Sequence, residues 1–273
     1  MDPRIVVRAC VGTSAGILQQ QDQVFKRLFI SKPVLIVVQR GIKELRCSGG
    51  EYTIRSGEAI AVAGGQTVDI TTRLGEHDRY QARWLVWDSA LVAAHGAAHP
   101  QQAVITQALS ITQHSAEFKL GFERALQAVE DATIPETIAR HRVAELLLWI
   151  GSNGGRFAPS QVLTLAMKIR HLVGQNLAGN WSANAVASAF AISEATLRRK
   201  LADEGTNLSD ILVDARMTFA LTLLQSTAQS VTQIALHVGY QTPSHFATRF
   251  RNRFGVPPTS IRGHQRGVAG PNA

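Results

Sequence analysis

Three consecutive cations, Arg198, Arg199 and Lys200, lie between two leucines that are spaced for one face of a helix. If this segment is helical, Leu197 and Leu201 face inward and the three cations face outward. A guanidinium in that position can neutralise a phosphate or pair in bidentate fashion with guanine O6 and N7. The chemistry that these residues favour is therefore recognition of a nucleic acid.

The elements that must position these cations have the pattern of a helix-turn-helix unit over 182–201. Val186 and the small Ala187 are suited to the close crossing of its two helices, Ile192 fills the turn, and Ser193 starts the second helix. The outward positions of that second helix are Ala195, Thr196, Arg198, Arg199 and Lys200.

The same design recurs over 231–250. Ile234 and Ala235 repeat the apolar and small pair, Gly239 supplies the tight turn, and Thr242 followed by Pro243 provides an N-cap and a first helical residue. Phe246 and Phe250 face inward, and the outward set is Ser244, His245, Ala247, Thr248 and Arg251.

Two units in register are far more specific than one. A longer helix, predicted over 208–226, joins them and can hold the two reading helices about one duplex turn, roughly 34 Å, apart. The alternative is a helical dimerisation bundle, which does not explain why the outward positions carry Arg, Ser, Thr and His.

The distribution of charge supports the same interpretation. Residues 1–164 carry 17 Lys and Arg against 15 Asp and Glu, whereas residues 165–273 carry 11 against 5. From Ser230 onward five arginines occur without any acid. A surface that faces phosphates requires such an excess of positive charge.

The N-terminal half differs in character. From residue 5 to about 90, short apolar runs at roughly ten-residue spacing are separated by Gly-containing turns, which predicts a small β-barrel or jelly roll. Helical periodicity follows over 115–130 and 136–150, and a segment rich in Gly and Ser then separates the halves. We predict an α+β protein with domains at 1–155 and 160–264, helix-turn-helix units at about 183–204 and 231–254, and a flexible tail at 265–273.

At residue level the C-terminal half resembles the DNA-binding domain of the AraC/XylS family of bacterial regulators. One departure is Ile261, where the family usually has an aromatic residue. The residues that carry the resemblance are Trp181-Ser182, Val186-Ala187, Ile192-Ser193, Thr196 to Leu201, Arg216, Ala220, Leu223-Leu224, Ile234-Ala235, Val238 to Tyr240, Ser244 to Phe246, Phe250-Arg251, Phe254-Gly255, Pro258 and Arg262.

The resemblance implies a transcription regulator, commonly an activator that works with RNA polymerase on promoter DNA. It also implies which residues touch the bases: Ala195, Arg198, Arg199, Ser244, His245 and Thr248. We expect phosphate contacts from Thr196, Lys200, Arg251 and Arg253. For His245 a neutral capping role remains an alternative.

The N-terminal half resembles, more loosely, the cupin-like sensor domain of the same family, through 32–41 and 52–59. The resemblance implies control by a small effector, a lipid-like molecule or a partner protein, with the helices over 115–150 forming a homodimer or simply completing the core. An enclosed apolar pocket with one or two polar groups would favour a small ligand. A filled barrel with an exposed apolar patch would favour a protein.

Enzymatic alternatives lack the residues that they need. His77, His95 and His99 do not have the spacing of a cupin metal site, and two cysteines cannot supply the Cys₄ zinc site of the DNA-repair methyltransferases that carry a similar DNA-binding segment. We therefore expect no cofactor, no metal and no enzymatic activity. We also expect no membrane span, and hence a cytoplasmic protein.

Overall fold

The structure, a computed structural model, describes residues 5–111, 115–158 and 164–261. Strands predominate from 5 to 87, and most of the remaining described residues are helical apart from three short strands within 104–157. The predicted tail at 265–273 and Arg262 lie outside the described residues. So do residues 160–163, with which the predicted second domain, 160–264, would begin.

The strands along the described chain are β1 Ile5–Arg8, β2 Gly12–Gln19, β3 Gln23–Ile30, β4 Val34–Arg40, β5 Ile42–Cys47, β6 Gly50–Arg55, β7 Ala59–Val62, β8 Gln66–Arg73, β9 Tyr80–Trp87, β10 Val104–Ile105, β11 Ala108–Ile111 and β12 Arg156–Phe157. One antiparallel sheet has the order β1-β2-β9-β4-β7-β11, and a second has the order β3-β8-β5-β6. The short strands β10 and β12 pair in parallel.

The helices are α1 Ser89–Ala98, α2 Ala116–Glu130, α3 Glu136–Ser152, α4 Leu165–Gln175, α5 Ala183–Ala189, α6 Glu194–Asp203, α7 Leu208–Ser226, α8 Val231–His237, α9 Pro243–Phe254 and α10 Pro258–Ile261. Most begin where the sequence predicts, because a polar side chain caps the first turn. Ser115, Ser182, Ser193 and Thr242 each accept a hydrogen bond from a backbone N–H of the helix that follows.

The larger sheet is buried on both faces, which explains its continuous apolar runs. Ile36 and Val38 of β4 pack toward the smaller sheet, while Leu35 belongs to a second apolar cluster that includes Phe118 of α2 and Val143 of α3. Strands of a one-sided sheet would alternate instead. The helices α2 and α3 therefore complete the core of the N-terminal half, whatever further role they have in assembly.

The inner apolar cluster does not stop at the barrel. It runs from Phe25 and Ile70 in the smaller sheet into the helical half, where it includes Met217 and Phe254. The division into domains at 1–155 and 160–264 stays a prediction, and apolar packing is continuous across that boundary. The α+β class and the order of strands before helices agree with the prediction.

Candidate nucleic-acid interface

The first helix-turn-helix unit consists of α5 and α6. Val186 and Ala187 are buried on α5, and Leu197 and Leu201 are buried on α6. Ala191 makes the turn with a positive φ of 52°. The Ile192 N–H donates to the carbonyl of Ala187 at 3.0 Å, which fixes the second helix across the first.

The side chains predicted to face outward from α6 do so. Ala195, Arg198, Arg199 and Lys200 are exposed. Thr196 is half-buried, and its hydroxyl lies 2.9 Å from that of Ser193. Arg198 forms an ion pair with Glu194 at 3.4 Å, one helical turn away. Its side chain remains 76% exposed, so the pair is weak and leaves the guanidinium accessible to a ligand.

The second unit consists of α8 and α9. Ser230 and Gln233 form a reciprocal capping box at the start of α8. Gly239 makes the turn with φ 86°, and an added Cβ there would lie 2.8 Å from the carbonyl oxygen of Leu177. Both the backbone conformation and the close approach therefore require glycine at this position.

The predicted outward set of α9 is also exposed, except for Ala247, which is half-buried. Ser244, His245, Thr248 and Arg251 all face away from the core. The ring of His245 lies edge-on to Tyr240 at a centroid distance of 5.4 Å, and its backbone N–H is the one that Thr242 caps. Contact of the imidazole with a base stays a prediction, as does its alternative role as a neutral cap.

The structure places Arg253 away from the exposed face of α9. Its Nε donates to Asp214 of α7 at 2.9 Å, its Nη1 donates to the carbonyl of Lys26 at 2.6 Å, and its Nη2 donates to the carbonyl of Arg27. The side chain is only 12% exposed. The predicted phosphate contact of Arg253 stays a prediction, but in this structure the guanidinium is occupied by other partners.

Asp214 and Arg170 complete that site, and sequence reasoning missed both. Asp214 lies on the inner face of α7, between the buried Ile211 and Met217. Its second oxygen accepts from Arg170 of α4 at 3.4 Å. Desolvation by burial lowers the pKa of Arg170. An acid at an inward position of an apolar helix was the available signal, because a buried carboxylate requires a cationic partner.

A cavity of about 360 Å³ lies between the barrel and α7. Its apolar walls include Phe25, Ile36, Ile70 and Trp84 from the sheets and Leu221 from α7. This volume falls within the range of small-molecule sites. The cavity and its mixed lining could not be predicted from the sequence, since the lining residues come from seven strands and from α7, some 200 residues apart.

One cation, Lys43 of β5, lines this cavity and is buried. Burial of the ammonium lowers the pKa of Lys43 to about 8. Within the described ranges no acid lies within ion-pairing distance of it, and the ring of Tyr80 lies 5.5 Å away. Gln19 and Thr72, joined by a 2.6 Å hydrogen bond, line the same cavity. Burial also raises the pKa of the Tyr80 hydroxyl.

Only the inward position of Lys43 could have been predicted from the sequence. It shares a strand face with Leu45, two residues on, so the alternation of β5 places a lysine inward. The histidines considered for a metal are not brought together: His77 lies in the turn before β9, whereas His95 and His99 stack at 4.3 Å at the end of α1. Over the described ranges no helix is long and apolar enough to cross a membrane.

Comparison with known proteins agrees with this geometry. Residues 186–264 match the family model described as a helix-turn-helix domain. The transcriptional regulator SirC of Salmonella typhimurium is 37% identical over 99 residues, which are 36% of this chain and 34% of that protein. The HTH-type transcriptional activator CfaD of Escherichia coli is 33% identical over 99 residues, 36% of this chain and 37% of that protein.

Residues 186–264 are a helix-turn-helix domain of the AraC type. The resemblance seen in its residues is therefore confirmed there. The match spans about a third of the length of these curated relatives, so it identifies the reading domain and leaves the N-terminal half to be compared by fold.

For the whole chain the likeness is one of fold. A point variant of ToxT from Vibrio cholerae, in its apo form, superposes with a TM-score of 0.70 at 13% identity, covering 94% of this chain and 98% of that one. Wild-type ToxT with a bound unsaturated fatty acid gives a TM-score of 0.65 at 15% identity, covering 96% and 98%. The predicted α+β architecture, strands first and a helix-turn-helix region last, is confirmed by this likeness.

Proposed function

We propose that this protein is a sequence-specific transcription regulator, acting as an activator, that reads two successive major grooves of promoter DNA with α6 and α9. The observation that carries the proposal is the pair of tandem units, each with a buried inner face and an exposed outer face of cations and hydroxyls. Bases would be read by Ala195, Arg198, Arg199, Ser244, His245 and Thr248, and phosphates would be bound by Thr196, Lys200 and Arg251.

The test is selection of duplexes from a randomised library with the full-length protein. Enrichment of one motif with two half-sites about one helical turn apart is the expected result. Activation is tested separately, by transcription in vitro with a bacterial RNA polymerase from a promoter that carries the selected motif. Failure to enrich any motif would reject sequence-specific binding, whereas repression would reject only the activator role.

We further propose that the cavity holds an effector, an anionic amphiphile with one carboxylate and a long apolar chain. The buried ammonium of Lys43, together with Gln19 and Thr72, offers a charged and hydrogen-bonding end, and the aliphatic and aromatic walls suit a hydrocarbon chain. A fatty acid of the kind bound by ToxT has this chemistry. A largely apolar cavity with a few convergent polar groups supports a small ligand over a partner protein as the controlling factor.

Oleate binding, measured by calorimetry, tests the ligand proposal, with oleyl alcohol as the probe that lacks the charge. We expect Lys43→Met to abolish the preference for oleate, because the ammonium is the proposed partner of the carboxylate. Lys32→Met is the matched control, since Lys32 also lines the cavity but is exposed. Equal loss in both variants, or equal binding of acid and alcohol by the parent protein, would reject Lys43 as the anchor.

The pKa of Lys43 adds a dependence on pH. The unliganded ammonium loses its proton as the pH rises through about 8, so oleate should bind more weakly above pH 8 than at pH 7. Between pH 8 and 10.5 Lys43 is mostly protonated in the unfolded chain and mostly deprotonated in the folded protein. The free energy of unfolding therefore rises with pH over this range. At pH 7 the buried charge costs the folded state on the order of 3 kcal/mol, and Lys43→Met should raise the free energy of unfolding by up to that amount.

A further inference from the structure

A cluster of charged side chains ties the second reading helix to the N-terminal sheet. Arg253 of α9 and Arg170 of α4 each bind one oxygen of Asp214 on α7, at 2.9 and 3.4 Å. Both arginines also reach β3: Arg253 donates to the carbonyls of Lys26 and Arg27, and Arg170 lies 4.1 Å from the ring centroid of Phe29. We call Arg170, Asp214, Arg253 and the 26–27 backbone the β3 clamp.

The two carbonyls are available because β3 is bulged where they lie. The register with β8 shifts between Phe25 and Leu28, and Arg27 has a positive φ of 55°. The amide of Arg27 donates to Asp69 of β8 at 2.6 Å, so this carboxylate holds the bulge in its strained conformation. Asp69 is thus a residue of the N-terminal half whose removal would loosen the clamp without touching a helix.

The same strand borders the cavity. Phe25, Leu28 and Phe29 of β3 line it, and so does Leu221 of α7, the helix that carries Asp214. Phe25 also packs edge-on against Phe254, the neighbour of Arg253, at a centroid distance of 5.8 Å. A shift of β3 caused by ligand binding in the cavity would therefore be transmitted to the last turn of α9.

We propose that the β3 clamp is the regulatory link between the cavity and the second reading helix, and that it restrains DNA binding while it is closed. The regulatory role rests on the proposed functions of α9 and of the cavity. To follow the major groove together with α6, α9 must adopt the orientation that the duplex imposes. The clamp bonds α9 directly to β3, whereas α6 packs on α4 and α5 and is linked to the clamp only through α4, so the clamp restrains the second unit more directly than the first.

The decisive comparison is Asp69→Ala against Asp22→Ala in the full-length protein. Asp22 is the matched control because its carboxylate accepts the Leu74 amide at 2.8 Å, a bond of the same kind between the same regions of the sheet. Each variant removes one negative charge, so any general gain in attraction to DNA is shared. Thermal unfolding establishes that both variants are folded.

Without DNA, hydrogen exchange should be faster over the last turn of α9 in Asp69→Ala than in Asp22→Ala. On a duplex selected by the parent protein, Asp69→Ala should bind at least about fivefold more tightly than Asp22→Ala, the low end of a coupling between sites. Equal exchange and equal affinity of the two variants would overturn the proposal, as would weaker binding by Asp69→Ala.

The route through Arg253 is tested in an Arg253→Lys background. A single ammonium retains the charge that faces Asp214 but cannot span two carbonyls as the guanidinium fork does. We expect the difference between Asp69→Ala and Asp22→Ala to vanish there, and a difference that persists would reject the clamp as the link. If no duplex is selected at all, the proposed function fails, while the exchange measurement still decides whether the clamp holds α9.

Discussion

The two helix-turn-helix units have the same local design but different surroundings. In the first, α6 presents three adjacent cations, Arg198 to Lys200, and packs on neighbouring helices. In the second, α9 presents two separated arginines, Arg249 and Arg251, among shorter polar groups, and its last turn is bonded to β3 through Arg253. The first unit therefore concentrates the exposed positive charge in one run, and the second carries the connection to the N-terminal half.

The turns of the two units also differ in how closely they pack against the rest of the protein. The first unit turns at Ala191, an L-residue at φ 52°, whereas the second turns at Gly239 against the backbone of Leu177 and Ala178. The second turn is packed into the rest of the domain, where Arg216 also binds the carbonyls of Leu177 and Gly179 at 3.0 and 3.2 Å. The comparison indicates that the two repeated motifs have different roles because they pack against different parts of the protein.

The largest difference in DNA binding between the two units is expected at Arg198. Arg198→Ala should lose about 1–3 kcal/mol of binding free energy on the selected duplex and much less on random DNA, because a bidentate guanine contact is lost. Thr248→Ala in the second unit is the matched change and should lose less. Titration of both variants on both duplexes measures this, and an equal loss of Arg198→Ala on all sequences would contradict a base-reading role.

Next in size is Gly239→Ala, which should lower the free energy of unfolding by about 2 kcal/mol, since it adds a Cβ in the left-handed region and against a carbonyl oxygen. Gly205→Ala separates the two causes, because Gly205 also has a positive φ, 69°, but has open space around its Cβ position. Urea denaturation gives both values. If the two variants lose equal stability, the packing of the second turn does not distinguish the units.

A smaller effect of opposite sign is expected in the first turn. Ala191→Gly should stabilise the protein by no more than about 1 kcal/mol, because glycine adopts the observed φ of 52° without steric cost. Ala185→Gly on the exposed face of α5 is the control and should destabilise by a similar amount. A loss of stability in Ala191→Gly would mean that the turn is not strained.

The smallest difference between the units is expected for their phosphate contacts. Arg251→Ala and Lys200→Ala should each weaken binding equally on selected and random duplexes and reduce the slope of log K against log salt by about 1. Binding isotherms over a series of salt concentrations measure this. A loss confined to the selected sequence would assign base reading to the residue concerned.

Local features of the protein were predictable because they depend on neighbours in the chain. Ser182, Ser193 and Thr242 cap helices wherever such sequences fold, and the spacing of Phe246 and Phe250 sets the inner face of α9. The exposed reading residues follow from the same helical period. Their contacts with bases stay predictions, since nothing in the fold alone tests them.

The burial of Arg253 was not predictable, because in the sequence it is one more cation on a reading helix. Its partners Asp214 and the 26–27 carbonyls lie 39 and 226–227 residues away and meet it only when the sheet packs on the helices. Lys43 likewise becomes an anion-binding candidate only when the sheets and α7 enclose a cavity and bury the lysine in its wall. The sequence by itself determined the two reading helices, through short-range periodicity and capping. Tertiary structure alone decided which cations remain exposed and which are buried, because burial depends on contacts between distant segments.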